Sequence, residues 1–558
     1  LYTPVDGQDY NDFLAEDNFI LSTIANGSPS YLQRSTTRSD SYQMNFTMNY
    51  SRSFGDHTVG GLFSIERSEA ESEYLMGKVN EPYEFTTGQS NSATGDKNTV
   101  FSRSESGSLS YIGRVNYAYQ DKYLAEVLFR SDSSTKFAPE NYWGFFPSIA
   151  LGYNISEESF FEPLRKVITS MKLRGSWGLV GNDQIGGERF IYMPTINLSG
   201  KGFTTGIDQN YGLSGPVYTR YENNSITWEV GEKINLGIDL QLLNSLNIVV
   251  DIFRETRRDI FQKKGTIPTY LGTGNTDVFG NLAEMKNQGL DLSIDYNKAF
   301  SKDFYMNFKG TFTYAHNEIT KYDEAPKYAF QSKVGQSANV SQGYLSNGLF
   351  LDEAEIDRYD QQMGSTLGAG DIKYLNVSNM HGYGDDIVDV DDWTWIGNPT
   401  VPEIVYGFGP SFKYKNWDFS FFFQGVAKTS LFMSGFHPFG DNSLRNVLQF
   451  VANDRWSPTN QNVDAKYPRL TRKTSLNNTN PGNSGRTSDY WMRDGSFLKL
   501  KNMELGYTFK RMRFYISGSN LLTFSKFDLW DPEQGGGSGL KYPTQRVFNV
   551  GFQMTFNN

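Results

Sequence analysis

The chain has 558 residues and a formal net charge of −10, and 15% of its residues are aromatic although only 38% belong to the hydrophobic set. This balance is unusual for a soluble core but typical of a β-barrel with a polar lumen and aromatic girdles. The acidic charge argues against a general nucleic-acid binder, the lack of cysteine excludes disulfides and thiolate metal sites, and the lack of a long apolar run excludes transmembrane helices.

Apolar and polar residues alternate along many segments. An early segment spaces Tyr42, Phe46 and Tyr50 between polar residues, and the last alternates from Phe548 to Phe556. Because successive side chains of a strand point to opposite faces, each segment carries one apolar stripe. In chain order, about fifteen strands are predicted, near 41–54, 57–72, 107–119, 122–132, 144–155, 170–180, 226–240, 246–257, 284–297, 303–317, 402–414, 416–429, 492–508, 511–523 and 545–556.

The connections between these strands alternate between short and long. Tight turns are predicted at 55–56, 120–121, 244–245, 299–300, 415–416 and 510–511. Long polar segments are predicted near 73–105, 133–143, 181–225, 258–283, 318–401, 430–491 and 524–544. Bacterial outer-membrane barrels have short periplasmic turns and long external loops, whereas a soluble sandwich does not segregate loop length by side. The predicted fold class is therefore all-β, a transmembrane antiparallel β-barrel.

The same alternation orients the chain in the membrane. If the C-terminus is periplasmic, the last strand and the strand at 41–54 both run inward, which makes residues 1–40 an external loop and 41–558 the C-terminal part of a barrel. An odd number of strands does not close a conventional antiparallel barrel. We therefore expect the first strands to come from sequence, or from a separate chain, outside these residues, and to pair with the free side of the last strand.

Short sequence motifs, each different from the others, are spread along nearly the whole chain. They are Gly113–Tyr117 with Tyr123–Leu124, Trp143–Ser148, Leu173–Gly178 with Gly181–Asn182, Asn287–Leu290, Gly370–Tyr374, Ile396–Pro399, Phe423–Gly425, Phe497–Asn502, Ser519–Thr523, Trp530–Glu533 and Tyr542–Thr544. Each motif is weak alone, but together, in this order, they resemble the SusC-like TonB-dependent transporters of Bacteroidetes outer membranes. The end of the last strand also resembles the barrel-assembly signal of outer-membrane proteins, in Asn549, Gly551, Met554 and Phe556.

The resemblance implies a larger machine than this chain. It implies a barrel of about 22 strands around a plug domain, with the plug and the TonB-contacting segment outside these residues. It implies active import powered through the TonB complex, a SusD-like surface lipoprotein that acts as a hinged lid, and a dimer of transporter–lipoprotein pairs. Contacts with the barrel assembly machinery and with outer-membrane lipid are also implied.

An acidic segment at 381–392 is the best candidate metal site. The resemblance implies an EF-hand-like loop here, which would bind Ca²⁺ through oxygen ligands at alternate positions. The acidic positions of that pattern are kept by Asp385, Asp389 and Asp392. Three other positions depart from it, namely His381, Tyr383 and Asp386 in place of Asp, Asn and Gly. Because these changes remove two oxygen ligands and the turn glycine, the alternative is a solvated acidic loop without a cation.

Aromatic residues in the external loops are candidates for contact with cargo or lid, because their faces can stack on sugar rings or on apolar peptide side chains. The residues singled out are Tyr218, Tyr221, Trp393, Trp395, Phe436 and Phe439. The alternative is that they pack the loops against one another. Aromatic residues on strands, such as Trp417, are predicted to lie in an interfacial girdle or to face lipid.

No pattern of residues predicts catalysis. The four histidines, His57, His316, His381 and His437, lie in separate segments without metal or triad spacing, and no nucleophile elbow is present. The run Gly535–Gly539 lacks the lysine and the helix of a phosphate loop and is predicted to be a flexible external loop. We predict that the protein is not an enzyme and requires no cofactor.

The first functional hypothesis is active, TonB-dependent import of oligomeric nutrients, glycan or oligopeptide, across the bacterial outer membrane. The alternatives are a passive outer-membrane porin and a surface β-rich adhesion module. The motifs disfavour the porin, and the segregation of loop length disfavours the adhesion module.

Overall fold

A computed structural model describes residues 2–3, 20–21, 31–81, 95–186, 190–268, 277–362, 367–382, 385–436, 439, 446–471, 477 and 487–556. Two short strands, Tyr2–Thr3 and Ile20–Leu21, pair with each other ahead of the main sheet. No helix among the described residues is both long enough and apolar enough to cross a membrane.

Fifteen strands form one antiparallel sheet in which each strand pairs with the next along the chain. They are β1 (Tyr31–Phe54), β2 (His57–Asn80), β3 (Lys97–Tyr119), β4 (Tyr123–Ser133), β5 (Trp143–Asn154), β6 (Ile168–Asn182), β7 (Glu229–Leu242), β8 (Leu246–Lys263), β9 (Phe279–Ala299), β10 (Phe304–Lys321), β11 (Ile404–Tyr414), β12 (Trp417–Ala427), β13 (Phe497–Phe509), β14 (Met512–Ser525) and β15 (Val547–Met554). The predicted all-β class and the number and order of the strands are confirmed. β15 pairs with β14, the strand before it in the chain.

The longer connections contain secondary structure of their own. Five pairs of short strands are Thr195–Thr205 with Tyr211–Arg220, Ser341–Gly343 with Thr394–Ile396, Ser346–Leu349 with Ile372–Tyr374, Gln361–Gln362 with Ile387–Val388, and Ser430–Phe432 with Met492–Asp494. Short α-helices are Glu353–Ile356, Val377–Met380 and Gln449–Asn453. Short 3-10 helices are Pro139–Asn141, Ile155–Glu157, Ser159–Leu164, Ala329–Gln331, Val390–Asp392, Asp489–Trp491 and Pro532–Gln534.

One face of the sheet, here called the outer face, carries the apolar stripes of all the strands in register. At the level of the tight turns an aromatic row crosses six neighbouring strands through Phe552, Phe514, Tyr507, Trp417, Tyr414 and Phe304. Nearer the middle of β15, the side chain of Val550 is 88% exposed. Such a surface is unfavourable in water and suits lipid, and aromatic rows of this kind mark the membrane interface of barrels. Trp417 thus lies in the girdle predicted for it.

The tight turns lie at one edge of the sheet, as predicted. Gly55-Asp56, Lys415-Asn416 and Lys510-Arg511 are two-residue connections, and Gly55 has a φ of 60°. Positive φ is what short hairpin turns between twisted strands require. The connection from β5 to β6 lies at the same edge and contains two short 3-10 helices instead of a tight turn.

The first three strands are longer than the alternation predicted. β1, β2 and β3 have 24, 24 and 23 residues, so residues 31–40, expected in the external loop, belong to β1. From Gln33 to Asp40 this part of β1 is polar on both faces, so the apolar stripe on which the prediction depended is missing there. β13 differs at its start, because residues 492–494 pair with Ser430–Phe432 and the sheet strand begins at Phe497.

Candidate functional site

The polar face of the sheet, here called the inner face, carries charges on its later strands. Arg174 of β6 donates to Asp239 of β7 at 2.8 Å and to Asp251 of β8 at 3.0 Å. Arg513 of β14 donates to Glu504 of β13 at 2.6 Å. These partly exposed charges of the inner face are therefore paired with opposite charges on neighbouring strands.

The inner face of β1 to β3 has a different chemistry, because it is lined by hydroxyl groups. Along β3, consecutive inward positions are occupied by Ser102, Ser104, Ser106, Ser108 and Ser110, and none of the inward positions of β1 is charged. Hydroxyls meet across the strands, as between Ser39 and Ser72 at 2.9 Å and between Ser68 and Ser108 at 2.7 Å. We call this surface the hydroxyl face.

The external loops after β10, β12 and β14 share one hydrophobic core, here called the aromatic loop core. Its buried members are Tyr344, Leu349, Ile372, Tyr374, Val388, Leu431, Met433, Phe436, Phe439, Val451, Trp456, Ala465, Tyr467, Leu470, Trp491 and Phe527. Burial of so much aromatic surface favours one fixed arrangement of the three loops. The external mouth on this side is therefore built by a packed body.

A buried ionic network also joins two of these loops. Asp371 is 1% exposed and accepts hydrogen bonds from Arg469 at 2.6 and 3.0 Å, from Asn477 at 2.7 Å and from the backbone N–H of Gly368 at 2.9 Å. Four donors around one carboxylate compensate its removal from water. Asp371 belongs to the family-like motif Gly370–Tyr374. This motif therefore helps to hold the two loops together.

The aromatic residues predicted to contact cargo or lid separate into two groups. Phe436 and Phe439 are 3% and 0% exposed within the aromatic loop core, so their side chains do not reach a surface on which cargo or a lid could bind. Trp393 packs against the same core, with its ring edge-on to Tyr344. Trp395 is half-buried and donates its indole N–H to the carbonyl of Ser332 at 2.8 Å. For these four residues the structure shows packing roles.

Tyr218 and Tyr221 are the exposed members of the predicted set. Tyr218 lies in the second strand of the hairpin Thr195–Thr205 and Tyr211–Arg220, and Tyr221 follows that strand. Their rings stack with centroids 5.5 Å apart. Their side chains are 50% and 39% exposed. Two parallel rings at a loop surface can take a planar ligand group, so this pair remains a predicted contact for cargo or lid.

In the acidic segment, two of the predicted ligands cap a turn. Asp389 accepts from the backbone N–H of Asp391, while Asp392 accepts from the N–H groups of Asp389 and Ser378, all at 2.8 to 2.9 Å. Asp392 is fully buried, and burial raises the pKa of its carboxyl although these donors oppose the shift. The two carboxylates therefore act as backbone caps in this structure.

The other described positions of this segment do not complete a metal site. Asp385 accepts from the backbone N–H of Ile387 at 3.1 Å, and the ring of His381 stacks on Phe330 with centroids 4.7 Å apart. Tyr383 lies outside the described residues. Within the part of the chain that the structure describes, no three His, Cys, Asp or Glu side chains are arranged to hold a metal ion. The described residues thus do not fit the predicted Ca²⁺ site.

A lysine anchor, which the sequence did not reveal, ties the last external loop to the sheet. Lys499 of β13 is 1% exposed, and its Nζ lies 2.5 Å from Asp531 and 2.8 Å from Glu533, which also accepts from Lys501 at 2.8 Å. Burial would raise the pKa of Glu533, but the two lysines outweigh burial and lower it. The motifs Phe497–Asn502 and Trp530–Glu533 are therefore the two halves of one contact.

The glycine run in this loop is folded, not flexible as predicted. Gly537 donates its N–H to the carbonyl of Phe432 and accepts from the N–H of Ser434, both at 2.9 Å. The φ angles of Gly535, Gly537 and Gly539 are 74°, 120° and 71°. Glycine is needed here because other residues adopt these angles only with strain.

A second cluster of buried residues, here called the inner loop core, fixes the loops after β4 and β6. It consists of Phe137, Phe146, Ile185, Ile191, Ile226 and Trp228. Between these loops and the hydroxyl face lie two adjoining cavities of about 440 and 660 Å³, both lined by Ser41, Ala70, Ser106 and Thr135. We call the pair the hydroxyl cavity.

The residues of the predicted assembly signal lie on and just after β15. Asn549 and Gly551 pair with Ser517 and Tyr515 on the inner face, whereas Met554 pairs with Met512 on the outer face. Phe556 follows the strand and is 79% exposed. The alternation of the signal thus follows the two faces of the sheet, and its role in assembly stays a prediction.

Residues 2–521 match the protein family described as TonB dependent receptor-like, beta-barrel. TonB-dependent receptor P3 of Formosa agariphila is 26% identical to this chain, over 94% of the chain and 53% of its own length. TonB-dependent receptor SusC of Bacteroides thetaiotaomicron is 28% identical, over 80% of the chain and 44% of its own length. The chain thus spans about half the length of the curated relatives that it matches.

Among solved structures, the RagAB peptide transporter is similar to this chain with a TM-score of 0.70 at 20% identity, over 94% of this chain and 56% of that chain. The RagAB peptide importer in its "open-open" state gives a TM-score of 0.68. At this level of identity the likeness shows a shared fold.

Proposed function

Because the chain belongs to the TonB-dependent receptor-like β-barrel family, we propose that it forms most of the barrel wall and the external mouth of a transporter in the bacterial outer membrane. The observation that carries the proposal is the single antiparallel sheet, apolar on its outer face and polar on its inner face, with every packed loop body at the edge opposite the tight turns. This arrangement suits a wall between lipid and an aqueous lumen.

The transport is TonB-dependent import of oligomeric nutrients, glycan or oligopeptide, and a SusD-like lipoprotein acts as the lid. Support for this finer statement comes from relatives. One curated relative is named SusC, and the solved structures of similar fold include a peptide transporter. The packed external body offers a fixed rim on which a lid could seat, and the family is one of receptors and transporters, not of enzymes.

An uptake experiment tests the proposal in the intact protein. Cells that carry or lack the complete gene are given labelled oligosaccharides and oligopeptides, with and without a protonophore that collapses the energy supply of TonB. We expect gene-dependent accumulation that stops with the protonophore. Gene-dependent uptake that persists under the protonophore would identify a passive porin.

A tagged transporter tests the partner and the location. We expect it to fractionate with the outer membrane and to copurify with one surface lipoprotein. A protein that stays monodisperse in water without detergent would contradict every membrane function and would favour the adhesion module.

A further inference from the structure

We propose that the hydroxyl cavity binds an uncharged, hydroxyl-rich oligomer, that is, a neutral oligosaccharide, on its way into the lumen. This inference rests on the proposed import function and adds the chemical class of the cargo.

The floor of the cavity is a regular array of neutral hydrogen-bonding groups. Ser41, Gln43, Ser68, Ser106 and Ser108 line it from three neighbouring strands. On one face of a sheet, such groups repeat at about 6.7 Å along a strand and about 4.8 Å between strands. Each serine hydroxyl is both donor and acceptor, which is also the character of every sugar hydroxyl. The array therefore offers paired contacts to several hydroxyls of one ligand.

Four acidic residues of these strands also border the cavity, but strand pairing places their side chains on the outer face: Asp40, Glu69, Glu71 and Glu105. Arg103 forms ion pairs with Glu71 at 2.6 Å and with Glu105 at 2.9 Å on the outer face. On the loop wall, Lys136 and Asp183 lie 3.3 Å apart and neutralise each other. An ionised ligand would lose water here without gaining a counter-charge, which is unfavourable. The cavity thus discriminates against charged cargo.

The opposite wall supplies aromatic surface and is held in place. Tyr142 and Phe190 line the larger cavity, and Phe190 is 39% exposed. Tyr142 packs against the inner loop core, in which Phe137 and Trp228 lie with ring centroids 5.3 Å apart. Phe190 packs edge-on against Tyr192. A preformed wall reduces the ordering cost of binding. Aromatic faces opposite a hydroxyl array suit sugar rings, which are polar at their edges and apolar on their faces.

The cavity offers a poorer site to a peptide. Extended peptides are recognised by adding a strand to a sheet edge, where main-chain groups are available. Here β1, β2 and β3 present a sheet face whose main-chain groups are already paired with one another. A peptide would be limited to side-chain contacts.

The test is a binding panel on the complete transporter, purified in detergent. The probes are an array of neutral oligosaccharides, an array of uronic-acid and sulfated oligosaccharides, and neutral peptides with blocked termini. The variant S106A/S108A removes two hydroxyls of the cavity, and S102A/S104A removes two hydroxyls of the same face that do not line it. Two lost hydrogen bonds of about 1 kcal/mol each correspond to about 30-fold weaker binding.

We expect the tightest binding from a neutral oligosaccharide, about 30-fold weaker binding by S106A/S108A, and less than a twofold change in S102A/S104A. Strongest binding of a charged oligosaccharide or a peptide, no binding of any neutral oligosaccharide, or equal losses in the two variants would each overturn the inference. TonB-driven uptake of a peptide with no sugar binding would refute the cargo class and leave import standing. Sugar binding without energised uptake would refute TonB-dependent import and leave the assigned cargo class standing.

Discussion

Replacing Lys499 by methionine should release the last external loop, because it removes the buried cation of the lysine anchor. Loss of one member of a buried ion pair costs about 3–5 kcal/mol. Here the side chains of Asp531 and Glu533 retain 18% and 32% exposure, and Lys501 still contacts Glu533. Water and Lys501 recover part of the cost, so we expect about 2–3 kcal/mol, or roughly a 30- to 150-fold rise in the opening equilibrium of the loop.

The assay is amide hydrogen exchange of residues 526–546 in the purified full-length protein. The matched control is K501M, whose side chain is 23% exposed and whose loss should cost less than about 1 kcal/mol. The triple variant K499M/D531N/E533Q, which also removes the stranded negative charges, should recover most of the protection. Equal exchange in K499M and K501M, or no recovery in the triple variant, would refute the role assigned to the buried lysine.

Four further predictions concern the external loops. The pKa of Glu533 is lower in the folded protein than in the unfolded chain. Its stabilising contribution is therefore fully present above the unfolded carboxylate pKa of about 4.3 and is lost as the pH falls through the lowered value. The fluorescence of Trp530 in the same loop should report opening of the loop only in strong acid. The substitution D371N should destabilise the packed loops by about 3 kcal/mol, because Arg469, whose side chain is only 16% exposed, loses its counter-charge. Limited proteolysis should then cut loops that resist cleavage in the unsubstituted protein. Since Asp392 caps a turn instead of facing a metal, millimolar Ca²⁺ should leave the temperature of thermal unfolding unchanged. If Ca²⁺ raised that temperature in the unsubstituted protein but not in D392N, the cation site would be established. The variant Y218A/Y221A should weaken the binding of cargo or lid at least several-fold without changing the temperature of thermal unfolding. Unchanged binding would show that this pair contacts neither cargo nor lid.

Sequence alone predicts the large sheet well, because the alternation of apolar and polar residues can be recognised in each strand without reference to any other strand. Fifteen strands, their order and their tight turns follow from alternation and loop length. The resemblance to SusC-like transporters is confirmed by the family match over residues 2–521 together with the 28% identical relative named SusC. The alternation stops where the apolar stripe stops. The sequence therefore predicts loops where β1 to β3 in fact continue as polar strands.

The external loops could not be predicted in the same way, because burial there depends on contacts distant in sequence. Phe436 and Tyr218 are both aromatic residues in polar loops, yet one is 3% exposed and the other 50% exposed. The pairing of Lys499 with Asp531 likewise depends on how β13 meets a later loop. One signal in the sequence could have indicated this contact. The family-like motif Phe497–Asn502 contains lysines, and the family-like motif Trp530–Glu533 contains carboxylates.

The unequal lengths of the strands have a mechanical consequence for anything that closes the external mouth. β1 has 24 residues and β4 has 11, a difference of about 40 Å of extended chain at 3.3 Å per residue. Because β1 and β4 are only three strands apart, the external edge of the sheet falls by much of this length within one part of the wall. A flat, rigid cap that met the ends of β1 to β3 would miss the end of β4, so any close contact there would depend on the loop that follows β4.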